Sequence, residues 1–244
     1  MKKLQNRKWN NLRFRIGCAV DHLWLSKPLE VYDRLRCVYQ GKAQHRKQVN
    51  SRTELVIEGF PSSANSFLVR CLQQGLKGRP LRYADHHHSA AMAVKAVRLR
   101  IPTVLCVREP LDTCLSAARR WPLWTVEEYL MRYVEFHQIL IPYMEEMVVS
   151  DFDVTTKLPV KVITQVLAQV EGRELKIDEE DVKKRAAEQP GMSTKEIAEK
   201  KAREQKKREQ LLETFEASGG ETVLRSAREV YERFREKSEK DFKV

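Results

Sequence analysis

Long apolar runs are missing from this chain of 244 residues. None approaches the 18 or more apolar residues that read as a membrane span, and Ile16 to Val20 is too short for the core of a secretory signal. Cysteine is scarce as well. Cys18, Cys37, Cys71, Cys106 and Cys114 form an odd set with no metal-ligand spacing, and Cys71 and Cys106 sit inside apolar patterns. That pattern excludes a disulfide framework and fits the reduced thiols of a cytosolic protein, with no metal expected. No internal repeat occurs, which excludes a solenoid. The expected location is cytoplasmic, with peripheral attachment to a membrane open to the basic segment described next.

Positive charge is abundant but unevenly placed. Of the net +11, residues 1–52 carry nearly all, with 13 Lys/Arg against 3 Asp/Glu, while the remaining chain is almost balanced at 32 against 31. Apolar residues at Trp9, Leu12, Ile16, Val20, Leu23 and Leu25 suit an amphipathic helix with a basic face. Such an arm either packs on the domain as a solvated helix or meets an anionic membrane surface or an acidic polymer. Nucleic acid is not an expected partner, because neither a recognised motif nor aromatic interleaving accompanies the charge.

The length suits one α/β domain with a real core plus helical additions. Short apolar runs over 55–57, 81–84, 102–107 and 147–152 read as strands. They alternate with helix-period segments over 66–77, 90–100, 111–120, 126–141 and 160–170. Strand-helix alternation implies a parallel sheet. Beyond Gly172 the chain becomes crowded with mixed charges, broken by Pro190-Gly191. Ser193 with Glu196 forms a capping box for a following helix, and 223–234 is a last amphipathic helix. The expected division is a basic helical arm at 1–52, an α/β core at 53–172 and a charged helical extension at 173–244 packing on that core.

Residues 54–68 read as strand, tight loop and helix, so the helix start aims free amides at an anion. Against the Walker pattern the chain offers Gly59, four residues, then Ala64-Asn65-Ser66. Asparagine in the lysine slot argues against ordinary ATP chemistry. The second informative run is 104–116, where an apolar strand ends in Arg108, Pro110 opens a helix and Ser116 follows. Arginine at a strand's carboxyl end lies where open α/β sheets bind ligands, and its planar fork suits phosphate. Pairing of Arg108 with Glu109 or Asp112 is the competing structural reading.

Together these elements resemble the sulfotransferase family that uses 3′-phosphoadenosine 5′-phosphosulfate, over residues 54–152 and most like its bacterial members. The family's loop Tyr-Pro-Lys-Ser-Gly-Thr-Thr-Trp corresponds to Phe60-Pro61-Ser62-Ser63-Ala64-Asn65-Ser66-Phe67. Its 3′-phosphate site, an arginine followed eight positions later by a serine, corresponds to Arg108 and Ser116. The resemblance implies a three-layer P-loop-type α/β domain and binding of the donor by Pro61, Ser62, Ser63, Ala64, Asn65, Ser66, Phe67, Arg108 and Ser116. Phe67 would stack on adenine, or else serve as a core residue. A histidine base about this far upstream of the arginine matches His86 best, 22 positions before Arg108, and His88 next.

The resemblance implies sulfuryl transfer to a hydroxyl or amine, without a required metal. A carbohydrate or glycoconjugate acceptor fits the bacterial relatives. One departure matters: Ser62 stands where the family carries a cation that stabilises the leaving phosphate, a contribution on the order of 2.7–4 kcal/mol. Arg70, Lys195 and Arg203 are the candidate replacements. Two other functions stay open: a P-loop nucleotide kinase or hydrolase with Asp151 as its strand-end aspartate, and a noncatalytic protein that binds anionic ligands.

Overall fold

The computed structural model of the protein describes residues 49–76, 80–85, 87–170 and 194–243. The arm before Val49, His86 and the expected capping residue Ser193 lie outside the described residues, as does the segment 171–193. Four strands form one parallel sheet: β1 (Leu55–Gly59), β2 (Tyr83–Asp85), β3 (Thr103–Val107) and β4 (Val148–Asp151). Their spatial order is β2-β1-β3-β4, with Val56 opposite Thr103 and Ala84, and Val107 opposite Asp151.

The helices are α1 (Asn65–Leu76), α2 (Ala90–Arg98), α3 (Pro110–Arg120), α4 (Val126–Leu140), α5 (Phe152–Lys157), α6 (Pro159–Leu167), α7 (Thr194–Ser218) and α8 (Glu221–Phe242). A short 3₁₀ helix, Ile141–Glu146, continues α4. Both faces of the sheet are covered, which is why β1 and β3 are buried along their whole length and are mostly apolar, Leu55 to Ile57 and Val104 to Val107 being unbroken runs. Leu55, Ile57, Val104 and Cys106 face one way, into a core with Leu68 and Leu72 of α1 and Ile163 of α6. Leu105 and Val107 face the other way, against Leu115 of α3, Tyr133 of α4 and Phe234 of α8. This alternation is the two-residue period of a strand.

Two expectations are corrected. Phe152 does not continue the fourth strand: the Asp151 side chain accepts the Asp153 N–H at 3.3 Å, and this cap turns the chain into α5. The final helix is also longer than 223–234, because residues beyond Phe234 cover an edge. Ser238 Oγ accepts from Asp151 N at 2.9 Å and Asp241 Oδ2 from Val149 N at 3.0 Å. The outward amides of edge strand β4 are thereby satisfied by helix side chains, which closes that edge to a further strand. Among the described residues no helix is long and apolar enough to cross a membrane.

Candidate functional site

The site is built at the carboxyl ends of β1 and β3. Gly59 ends β1 where no side chain fits: a Cβ there would collide with the Cys106 carbonyl oxygen and lie 2.6 Å from Asn65 Oδ1. The following loop carries Ser62 at φ 71° and Ala64 at φ 70°, left-handed conformations that cost non-glycine residues on the order of 1–3 kcal/mol each. Such turns make successive backbone N–H groups converge into an anion-binding concavity. α1 starts at Asn65, so its first amides lack intrahelical acceptors and add the positive end of a helix dipole.

Contacts from below fix the loop. Thr113 Oγ1 of α3 donates to the Pro61 carbonyl at 3.2 Å and lies 3.5 Å from Ser63 Oγ. Asn65 Nδ2 donates to the Gly59 carbonyl at 3.0 Å, so the residue in the Walker lysine slot ties the start of α1 to the end of β1. Two side-chain oxygens of this loop, Ser62 Oγ and Asn65 Oδ1, are buried with no hydrogen-bond partner among the described residues. Buried oxygens without partners are rare in folded proteins and concentrate where a ligand or water completes the structure.

Histidine enters from the segment after β2. Glu58, fully buried, accepts the His87 and His88 backbone N–H groups at 2.8 and 2.9 Å, one on each carboxylate oxygen. Burial pushes the Glu58 carboxyl up to about 8, although those N–H groups pull it down. His88, at φ 51°, has Nδ1 2.8 Å from the Gly59 carbonyl oxygen. A carbonyl only accepts, so Nδ1 carries the proton and Nε2 carries the lone pair. Asn65 Nδ2, 3.4 Å away, therefore does not donate to Nδ1.

Arg108 closes the opposite side. Its Nη1 donates to the Ser62 carbonyl at 3.3 Å, and its guanidinium carbon lies 4.2 Å from the centroid of the Phe152 ring. Tyr133 Oη donates to the Arg108 carbonyl at 3.0 Å and fixes the strand end. Burial holds the guanidinium below its ordinary value, with Asp112 opposing, and it stays charged.

A cavity of about 770 Å3 collects these groups. Pro61, Ser62, Ala64, Asn65, Ser66, Phe67, His88, Arg108 and Ser116 all line it. Ser63 does not: it is fully buried beneath the loop, facing Thr113. Phe67 lines the cavity and also packs on the core. Of the candidate cations, Arg70 lines the cavity, Arg203 is exposed on α7 and is not part of the wall, and the Lys195 side chain lies outside the described residues.

Sequence reasoning missed the far wall, made by Arg120, Trp121, Leu123, Trp124 and Tyr129. Tyr129 Oη donates to the Trp121 carbonyl at 2.8 Å, and its ring meets Trp124 edge to face at 5.1 Å. The readable signal was two tryptophans within four residues directly after Arg119-Arg120. Asp151, the strand-end aspartate of the kinase reading, is occupied otherwise: it caps α5 and accepts from Tyr231 Oη at 2.7 Å. Comparison with models of known protein families and with characterised protein sequences returns no match, so what can be said of the chemistry comes from this arrangement.

Proposed function

We propose that residues 53–172 form a P-loop-type domain that binds 3′-phosphoadenosine 5′-phosphosulfate, and that the chain transfers its sulfuryl group to a hydroxyl or amine. The observation that carries this reading is one cavity lined by the strained loop at 60–66, by Arg108 with Ser116, and by His88. The loop amides and the start of α1 would take the 5′-phosphosulfate, and Arg108 with Ser116 the 3′-phosphate. The His88 Nε2 lone pair would accept the acceptor's proton as its oxygen or nitrogen attacks sulfur. The new bond to sulfur replaces the bond to the bridging oxygen, and adenosine 3′,5′-bisphosphate leaves. A saccharide acceptor suits the aromatic wall at Trp121 and Trp124 as well as any other flat-faced group does.

Arg70 and Arg120, both in the cavity wall, supply positive charge that Ser62 does not. The kinase reading loses support because Asn65 and Asp151 both have structural partners. A noncatalytic anion binder is favoured by one feature, Ser62 itself. Thermal-shift measurements with adenosine 3′,5′-bisphosphate, ATP plus magnesium, and heparin separate the three. Stabilisation by the bisphosphate is expected, and stabilisation by ATP with magnesium alone rejects the proposal. For turnover, His88→Ala should lower the transfer rate about 100-fold or more while leaving bisphosphate affinity within about twofold. Full activity in that variant removes His88 from the mechanism and leaves His86 to be tested the same way.

A further inference from the structure

The two carboxylates nearest Arg108 in sequence are each taken by an arginine of the C-terminal helices. Arg208 of α7 pairs with Asp112 Oδ1, and Arg228 Nε of α8 lies 3.2 Å from Glu109 Oε1, while Glu109 Oε2 caps α3 by accepting the Asp112 N–H at 2.8 Å. A second tie holds α7 to α3, where Arg119 Nη1 meets Glu204 Oε2 at 2.8 Å. Arg108 Nη2 forms a long ion pair with the remaining Asp112 oxygen, at 3.8 Å too far for a hydrogen bond. Arg108 follows β3 just before α3 and Asp112 lies in the first turn of that helix, so without Arg208 both Asp112 oxygens are free to turn onto the guanidinium as a two-bond fork. That fork would occupy the donors a phosphate needs.

We infer that Arg208 and Arg228 are positioning residues for the anion site: Arg208 keeps Asp112 from closing on Arg108 as a hydrogen-bonded fork, and Arg228 reinforces the cap that holds Glu109 aside, so that the guanidinium keeps its remaining donors for a phosphate-like ligand. The inference takes its ligand class from the proposed donor, but the competition among these five charges exists whatever the ligand is. The C-terminal helices thereby become part of a site whose lining residues all come from 61–156. Both outer pairs are partly exposed, with side-chain accessibilities of 39% for Arg208 and 54% for Arg228, so salt weakens the device.

The test uses the full chain as wild type, Arg208→Met, Arg208→Met with Asp112→Asn, and Arg228→Met. The initial rate at which phenylglyoxal labels Arg108, followed by peptide mass spectrometry, reports access to that guanidinium without any ligand. Labelling should fall about threefold in Arg208→Met and return to the wild-type rate in the double variant, the size of a partly exposed ion pair. Arg228→Met, which leaves α7 untouched, should show a smaller fall in the same direction. Adenosine 3′,5′-bisphosphate affinity should follow the same order, about threefold weaker in Arg208→Met and restored in the double variant. Labelling that is unchanged in both single variants, or that stays low in the double variant, overturns the inference. Restored labelling with affinity still low would make Arg208 a direct ligand contact and overturn its positioning role. A wild type that binds no bisphosphate, while the labelling pattern holds, sinks the donor reading alone.

Discussion

The carboxyl ends of β1 and β4 belong to one sheet, point the same way and each carry a buried or partly buried acid, yet they are finished in opposite manners. At β4, Asp151 caps α5 and accepts from Tyr231, and its own N–H is taken by Ser238. At β1 the backbone is strained at two non-glycine positions, and two buried side-chain oxygens have no partner among the described residues. A strand end closed by its neighbours contributes stability, whereas one that keeps strain and unmet polar groups is held in readiness for something else. Of these two ends, the one at β1 alone combines backbone strain with buried polar oxygens lacking a partner among the described residues.

The largest expected effect comes from filling the β1 end. Gly59→Ala places a Cβ against the Cys106 carbonyl, backbone that cannot rotate away, and should cost about 3 kcal/mol in urea denaturation. Wild-type stability in that variant would show that β1 and β3 can separate there and would remove the contrast with β4.

A comparable effect should follow from pH, because the β1 end rests on two buried titrating groups of opposite sign. His137, in an aromatic box with Phe60 and Tyr133, donates from Nδ1 to the Tyr133 carbonyl at 2.8 Å, and burial lowers it to about 4. Its folded value lies below its unfolded value of 6.5, so its contribution is present above 6.5 and is lost as pH falls through 4, about 3 kcal/mol in all. Glu58 rises from 4.5 to about 8, so its contribution is full below 4.5 and is lost as pH rises through 8. The two offset between 4.5 and 6.5, and Glu58 alone lowers stability from 6.5 to 8. Denaturation across this range should therefore fall above pH 6.5 in the wild type and stay flat there in Glu58→Gln. An unchanged decline in Glu58→Gln would assign it to other groups.

Asp151→Asn tests the other end. Asparagine keeps one oxygen where two were used, so either the Tyr231 bond or the cap is lost along with the charge, which should cost about 1–2 kcal/mol while bisphosphate affinity stays within twofold. A large loss of affinity would mean the β4 end also serves the ligand. The smallest effect should come from relieving strain: Ala64→Gly removes a left-handed alanine but adds unfolded-chain freedom, for a net gain of about 0.5 kcal/mol. A loss instead would mean that the Ala64 methyl packs usefully.

The sheet was legible because Leu55, Ile57, Val104 and Val149 lie in short apolar runs that only a strand buried on both faces accommodates. The loop, Arg108 and Ser116 were legible because their spacing is local and fixed by a strand-turn-helix unit. What escaped depends on distant meetings. Nothing near Asp112 announces Arg208, 96 positions away, and nothing in residues 235–242 announces that Ser238 and Asp241 seal a strand edge. Ser63 was placed with its neighbours on the ligand side, but alternation within a tight loop turns one hydroxyl inward, and Thr113 on α3 decides which. The tryptophans at 121 and 124 look like an ordinary helix connection until α4 folds Tyr129 against them.

The left-handed residues at 62 and 64 have a kinetic meaning as well. A loop already held in its strained shape by Thr113, Asn65 and Arg108 has no slow rearrangement left to make when an anion arrives. If the loop takes the proposed donor, capture should therefore proceed in one step at a rate proportional to its concentration, with differences in affinity among ligands expressed in how long each one stays.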